Sequence, residues 1–213
     1  MDERVQFDDA FRARLQDLLA FRRDVRRFRT DPLPAGTLER LLGVATLAPS
    51  VGLSQPWRFI IVDDPARRAA VREVFAACNA EAAASYSGDR AARYAALKLE
   101  GLREAPCQFA VFTDRATTVG HGLGQRTMPE TADYSAVAAI SMMWLAARAE
   151  GIGMGWVSIL DPGRMNQIFD VPPSWHFIGY FCVGYPREDS DRPELERAGW
   201  ERRRDVRSCV LRR

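Results

Sequence analysis

The sequence is poor in the groups that hold metals. It has two histidines, His121 and His176, which lie far apart with no Cys or His at ligand spacing, so a zinc or iron site is not expected. Four cysteines, Cys78, Cys107, Cys182 and Cys209, are scattered without a CxxC pair. They read as buried, reduced thiols of a cytoplasmic protein. No apolar run is long enough to span a bilayer; the longest, residues 136–147, is interrupted by Ser141. Residues 1–7 are polar and charged, unlike a secretory leader. Neither sign of charge is in large excess: Lys+Arg is 30 against Asp+Glu 28, for a net charge of +2. A basic face interleaved with aromatics is also missing, so a nucleic-acid partner is not expected. Repeats, low-complexity tracts and linkers are lacking. A complete dinucleotide fingerprint is lacking too. Gly120, Gly122 and Gly124 give GxGxG without the final glycine or an immediately following helix, and read as a surface loop that could act as a lid.

What is present is one domain's worth of core: 213 residues, 47% of them apolar. Asp8 or Asp9 caps a predicted helix to Phe21, with Phe11, Leu15, Leu18 and Leu19 on one face. The break at residues 31–34 is set by Pro32 and Pro34. Thr37 then opens a helix that Pro49 ends. A polar turn over residues 50–57 leads into a nearly continuous apolar strand, 58–62, of the kind covered on both faces. Asp64-Pro65 starts a helix to Asn79, and another is predicted over 89–104. A buried strand follows at 107–113. Residues 134–150 form the strongest helix, apolar nearly all round and expected to be buried on every side. A strand at 155–159, a helix at 163–169 and a strand at 177–183 complete the core. The tail from Arg187 is charged and expected to wrap over a partner or the surface.

The stretch Arg22-Arg23-Asp24-Val25-Arg26-Arg27 is unusual. It places four arginines around one carboxylate, and the arginine fork suits phosphate. Taken alone it reads equally well as a solvated basic helix end. In company it reads differently. Arg22-Arg23-x-x-Arg26 after a first helix, Ala48-Pro49-Ser50 before Gln55-Pro56-Trp57, a buried central helix, Gly151-x-Gly153 into a strand, and Val183-Gly184-Tyr185-Pro186 together resemble the flavin-dependent nitroreductase superfamily. They cover nearly the whole chain, from Arg22 to Arg204. The sequence departs from ordinary members at two places, where Asp24 replaces a small hydroxyl residue and Ser54 an Asn. Asp24, residues 97–101, the loop Met128-Pro129-Glu130-Thr131 and Gly155-Trp156-Val157-Ser158 resemble the 5,6-dimethylbenzimidazole synthase family.

The resemblance implies an α+β nitroreductase-like fold: a central mixed β-sheet flanked by helices, with a long buried helix at a homodimer interface. Residues 1–213 would form a single domain whose N- and C-terminal extensions contact the partner. It implies O2-dependent fragmentation of reduced FMN to 5,6-dimethylbenzimidazole, the lower ligand of vitamin B12, with release of D-erythrose 4-phosphate. Flavin is then a substrate supplied by a separate NAD(P)H:flavin reductase, and neither a metal nor a membrane is involved. Arg22, Arg23, Val25, Arg26 and Arg203 would contact FMN phosphate and ribityl, and Ser50 and Gln55 the pyrimidine edge. Leu99 would approach the ring, with Lys98 more a helix-surface residue. Asp24 and Ser158 would be catalytic, Asp24 in proton transfer and Ser158 beside the oxygen-reacting face. Trp57 and Trp156 read as core. The alternatives are an NAD(P)H-dependent FMN nitroreductase or quinone reductase, and a non-catalytic flavin carrier.

Overall fold

The computed structural model describes residues 6–213; residues 1–5 of the polar lead lie outside them. Helices α1 (Asp9–Phe21) and α2 (Thr37–Ala45) come first. Strand β1 (Trp57–Ile61), helix α3 (Pro65–Ala84), helix α4 (Gly88–Ala96) and strand β2 (Cys107–Asp114) follow. Helix α5 (Thr131–Ala149), strand β3 (Gly153–Val157), helix α6 (Pro162–Ile168), strand β4 (Trp175–Gly184) and helix α7 (Glu194–Arg197) complete the order.

The strands form one sheet in the order β1-β2-β4-β3. The chain is thus α+β, but its strands are antiparallel throughout, where a mixed sheet was expected. The parallel component is a single bridge, Asp24 to Met154, beside β3. Alternation along β2 sends Phe109 and Val111 to one face and Ala110 and Phe112 to the other, as the pleat requires. The first face packs on α2 and α5 through Leu38, Leu41, Ile140, Met143 and Trp144. The second packs on α3 and α6 through Val71, Val74, Met165 and Phe169. Two buried polar side chains of this second layer satisfy each other: Tyr180 OH donates to Gln108 Oε1 (2.8 Å), and Gln108 Nε2 donates to the Leu102 carbonyl (2.9 Å).

Several elements differ from the sequence reading for identifiable reasons. Strand β1 is an edge strand, and only Trp57 in it is fully buried. Helix α5 buries one long face, yet Tyr134 stays 58% exposed and Val137 and Ser141 are also open. Its apolar circumference therefore exceeds what one chain can cover. Helix α1 buries no residue; Phe11, Leu15 and Leu19 are 44%, 40% and 50% exposed. Helix α3 runs past Asn79 because its alanine-rich continuation is a good helix former. Helix α4 stops at Ala96, well short of Glu104. Beyond it, the Glu100 carboxylate accepts from Leu102 N–H and the Lys98 carbonyl accepts from Arg26. Such local bonds compete with a helical ladder. Of the cysteines, Cys182 is buried, Cys78 and Cys107 are half-buried and Cys209 is exposed. Burial pushes the Cys182 and Cys107 thiols up, so neither is a ready thiolate.

Residues 24–29 lie across the ends of β3 and β4. Val25 N–H donates to Met154 O and Arg29 N–H to Tyr185 O, each at 2.8 Å. Two glycines of β3 make this possible. A Cβ at Gly153 would press on the Val25 side chain at 2.8 Å, and one at Gly155 would fall on the Val25 carbonyl oxygen. Gly155→Ala is therefore expected to push residues 24–26 off the sheet and to destabilise the fold by about 1–3 kcal/mol. Urea denaturation measures the loss; a stability within error of the parent would contradict this packing.

Candidate active site

Helix α1 ends at Arg22, whose extended backbone closes the helix by donating to Leu18 O. The next residue is clasped from the core: Trp144 Nε1–H donates to the Arg23 carbonyl at 3.0 Å. Asp24 then turns inward. One carboxylate oxygen accepts the Trp156 backbone N–H at 2.8 Å, and the other accepts from Arg26 Nη2 at 3.1 Å and Nε at 3.3 Å. Arg26 Nη1 donates onward to the Lys98 carbonyl at 3.2 Å. The Arg26 side chain is 13% exposed and that of Asp24 32%.

These residues form one wall of a cavity of about 200 Å³, lined by Arg22, Arg23, Asp24 and Arg26. The other wall comes from the far end of the chain: Glu194 and Leu195 of α7, with Pro193 before them, and Arg203 beyond. Four arginines thus meet around one hollow. Burial, then the charges of Arg203 and Arg22, hold the Arg23 guanidinium below the usual arginine range. Its Nε–H is buried without a partner. A ligand carrying a dianion would offset the crowded positive charge and accept from the arginines that line the cavity. The cavity therefore fits the phosphate end of a mononucleotide.

Arg22, Arg23, Asp24, Arg26 and Arg203 are brought together around this cavity. Val25 turns its side chain toward Gly153 and lines the adjacent hollow, with Arg23, Asp24 and Arg26. Leu99 is half-buried and follows the Lys98 carbonyl that holds Arg26. Lys98 is not on a helix; its ammonium pairs with Glu100 (3.3 Å) and Glu104 (3.0 Å). Ser158 is the exposed first residue beyond β3, two positions after the N–H that Asp24 accepts. Trp57 is core, and Trp156 packs on Phe181 with ring centroids 4.9 Å apart. Ser50 and Gln55 are not joined to the arginines. They flank the turn Val51–Leu53 before β1, at the opposite edge of the sheet from β3. There Ser50 Oγ accepts the Gln55 N–H at 3.1 Å, and Gln55 takes a φ of 44°. The glycine loop packs on that same turn, where a Cβ at Gly120 would fall on Gly52 O. It lines no part of the arginine cavity.

Side-chain patterning did not reveal the Lys98 carbonyl, since a backbone acceptor leaves no mark in residue type. The wall from α7 was also missed, although the acids there offered a signal: Glu194 lies 3.5 Å from Arg27, and Asp189 lies 2.6 Å from Arg148.

Known proteins place this geometry. The nitroreductase family model matches residues 19–185. The 5,6-dimethylbenzimidazole synthase of Rhodospirillum rubrum is 58% identical over 93% of this chain and 94% of its own length. The Rhodobacter capsulatus enzyme of the same name is 47% identical over 92% and 95%. Among solved structures, oxidised iodotyrosine deiodinase bound to FMN and 3-iodo-L-tyrosine superposes with a TM-score of 0.69 at 26% identity, covering 83% of this chain and 91% of that one. The chain belongs to the nitroreductase family, the class of FMN-binding oxidoreductases that the sheet and arginine cavity define, and within it to the 5,6-dimethylbenzimidazole synthase family.

If the cavity takes a phosphate, inorganic phosphate at about ten times its Kd should raise the unfolding midpoint by about 2–5 °C over a chloride control of equal ionic strength. The doubly substituted Arg23→Ala, Arg203→Ala protein should show no such rise. Equal rises in both proteins would place the anion elsewhere.

Proposed function

We infer that this chain carries out the reaction for which its nearest family is named, consuming reduced FMN and O2 to form 5,6-dimethylbenzimidazole, with erythrose 4-phosphate as the remainder. The observation that carries the reading is Asp24. It stands at the edge of the arginine cavity, bonded both to an arginine of that cavity and to the strand that leads to Ser158. The high identity to the R. rubrum enzyme supports it.

Arg22, Arg23, Arg26 and Arg203 hold the phosphate. Reduced flavin, when bound, supplies both the atoms of the benzimidazole and the electrons taken by O2. Asp24 keeps lone-pair capacity beyond its bonds to Trp156 and Arg26, since a carboxylate has about four acceptor sites. That capacity faces the cavity and takes or returns a proton at the ribityl carbon or a ring nitrogen. Ser158 places its hydroxyl at the oxygen-reacting face, where it orients or relays a proton. With the phosphate held, the flavin covers the mouth of the cavity and keeps water from the reacting face, which limits wasteful release of peroxide.

The pyrimidine edge of the ring needs an acceptor and donors that the arginine side does not offer. Ser50 of the partner subunit, with the partner's Gln55, supplies them in a homodimer. The exposed apolar residues of α5 (Tyr134, Val137) beside the half-buried Ala138 and Met142, with the bare face of α1, favour such a dimer. A separate NAD(P)H-dependent flavin reductase delivers reduced FMN.

The direct test mixes the purified protein with chemically reduced FMN in air and assays 5,6-dimethylbenzimidazole. Reoxidised FMN alone would indicate a carrier; rapid NADPH oxidation by the protein itself would indicate a reductase. Asp24→Asn should lower product by about 10²–10⁴-fold, the range for a positioned acid or base, while FMN affinity falls less than about tenfold. Retained synthesis would end the proton role. Ser158→Ala should divert flux to FMN and peroxide, and an unchanged yield would make Ser158 structural.

Light scattering should give twice the 23.9 kDa of one chain. Val137→Arg should return a single-chain mass and weaken FMN binding at least tenfold, as a buried unpaired charge disrupts an interface. A single-chain parent would overturn the dimer.

A further inference from the structure

Helix α4 has one fully buried side chain, Tyr94. The site chemistry described above does not touch it, yet it is built with care. Tyr94 OH donates to Asn79 Oδ1 of α3 at 2.7 Å, and its ring lies 4.8 Å from that of Tyr86. This pair presents an aromatic surface, and what sits on it is Trp200 of the tail. The Trp200 ring meets Tyr86 edge-on at 5.4 Å and Tyr94 at 6.0 Å. The Arg90 guanidinium covers it at 5.1 Å, a cation–π arrangement. Arg93 Nη1 adds a bond to the Gly199 carbonyl at 3.0 Å.

The direction of Trp200 is set by the way α7 ends. Gly199 has a φ of 67° and donates to Glu196 O, while Trp200 N–H reaches back to Leu195 O at 2.9 Å. This is a Schellman ending, in which glycine supplies the left-handed turn and the next side chain packs back. The anchored unit is therefore α7 plus Trp200. Its Glu194 and Leu195 line the arginine cavity, and Arg203, three residues past the anchor, lines the same wall. Residues 201–205 form no helix or strand, so the place of Arg203 is inherited from the anchor.

We propose that Trp200 is a positioning residue for phosphate capture: seated on Tyr86, Tyr94 and Arg90, it fixes the tail so that Arg203 closes the arginine cavity. The inference rests on the flavin reading above. It makes tail docking and flavin binding two expressions of one equilibrium. A bound dianion holds Arg203 and so holds the tail down, and a seated Trp200 brings Arg203 to the dianion without further ordering cost.

A double-mutant cycle on the full-length protein, read as Kd for oxidised FMN by flavin fluorescence, tests this. Arg203→Ala should weaken binding about tenfold or more, the scale of one charge-assisted hydrogen bond. Trp200→Ala should weaken it by a similar factor, and Trp200→Phe should recover most of that loss. The discriminating readout is the combination. If Trp200 acts through Arg203, the double variant binds within about twofold of Arg203→Ala alone, because coupled residues are not additive. A general structural role would instead multiply the two losses, and that result overturns the proposal, as does an unaltered Kd in Trp200→Ala. Arg93→Ala removes the bond to Gly199 without disturbing the rings. It should shift Kd in the same direction and be silent in the Arg203→Ala background, which keeps the test decisive if the tryptophan variant misfolds. A parent protein that binds no FMN would bring down the flavin reading itself, and this inference with it.

Discussion

The carboxylate of Asp24 joins pieces of chain that are remote in sequence. It accepts the backbone N–H of Trp156 in β3 and the guanidinium of Arg26, which in turn reaches the Lys98 carbonyl. Without it, a largely buried arginine would lose its counter-charge and a strand end would lose its acceptor. Breaking one partner of such a pair costs more than the pair is worth intact. Residues 22–29, the end of β3 and the stretch after α4 thus meet at one carboxylate, which adds to the backbone bonds Val25–Met154 and Arg29–Tyr185. The same carboxylate borders the arginine cavity.

Much of the fold was legible because it rests on strong local signals. The Asp64-Pro65 start of α3, the continuous apolar run of β2 and the long central helix each declare themselves within a short window. The arginine cavity was legible only in company, since the cluster alone reads equally well as a solvated helix end and Arg203 entered through the family resemblance. What escaped depends on distant partners. Residues 89–104 look helical in composition, but the chain leaves the helix at Ala96 to offer a carbonyl to Arg26. Gly101 there lies so close to the Phe28 ring that any Cβ would collide with it. The apolar residues of α1 signal burial, yet none of them is buried by the described residues of one chain. The run in β1 promised a central strand, and hydropathy does not distinguish a strand buried by its neighbours from one at an edge awaiting them.

Those uncovered faces bear on how the site is divided. The arginine cavity sits beside β3 and the Ser50–Gln55 turn beside β1, at opposite margins of one sheet. A pocket made of both halves of one chain would need to bend around the intervening strands β2 and β4. Two copies related by a twofold axis bring unlike margins together without deformation. In such a pair, the excess apolar surface of α5 and the split of polar residues between the two edges would have a common cause.

The hollow itself is bounded by Arg22 near the start of the chain and Arg203 near its finish. During synthesis the sheet and both of its helical layers are complete by Gly184, while the last cation is still inside the ribosome. A nascent chain can therefore be a well-packed body whose arginine cavity still lacks one of its walls. A product ending before residue 203 would keep its core intact and lack that cation.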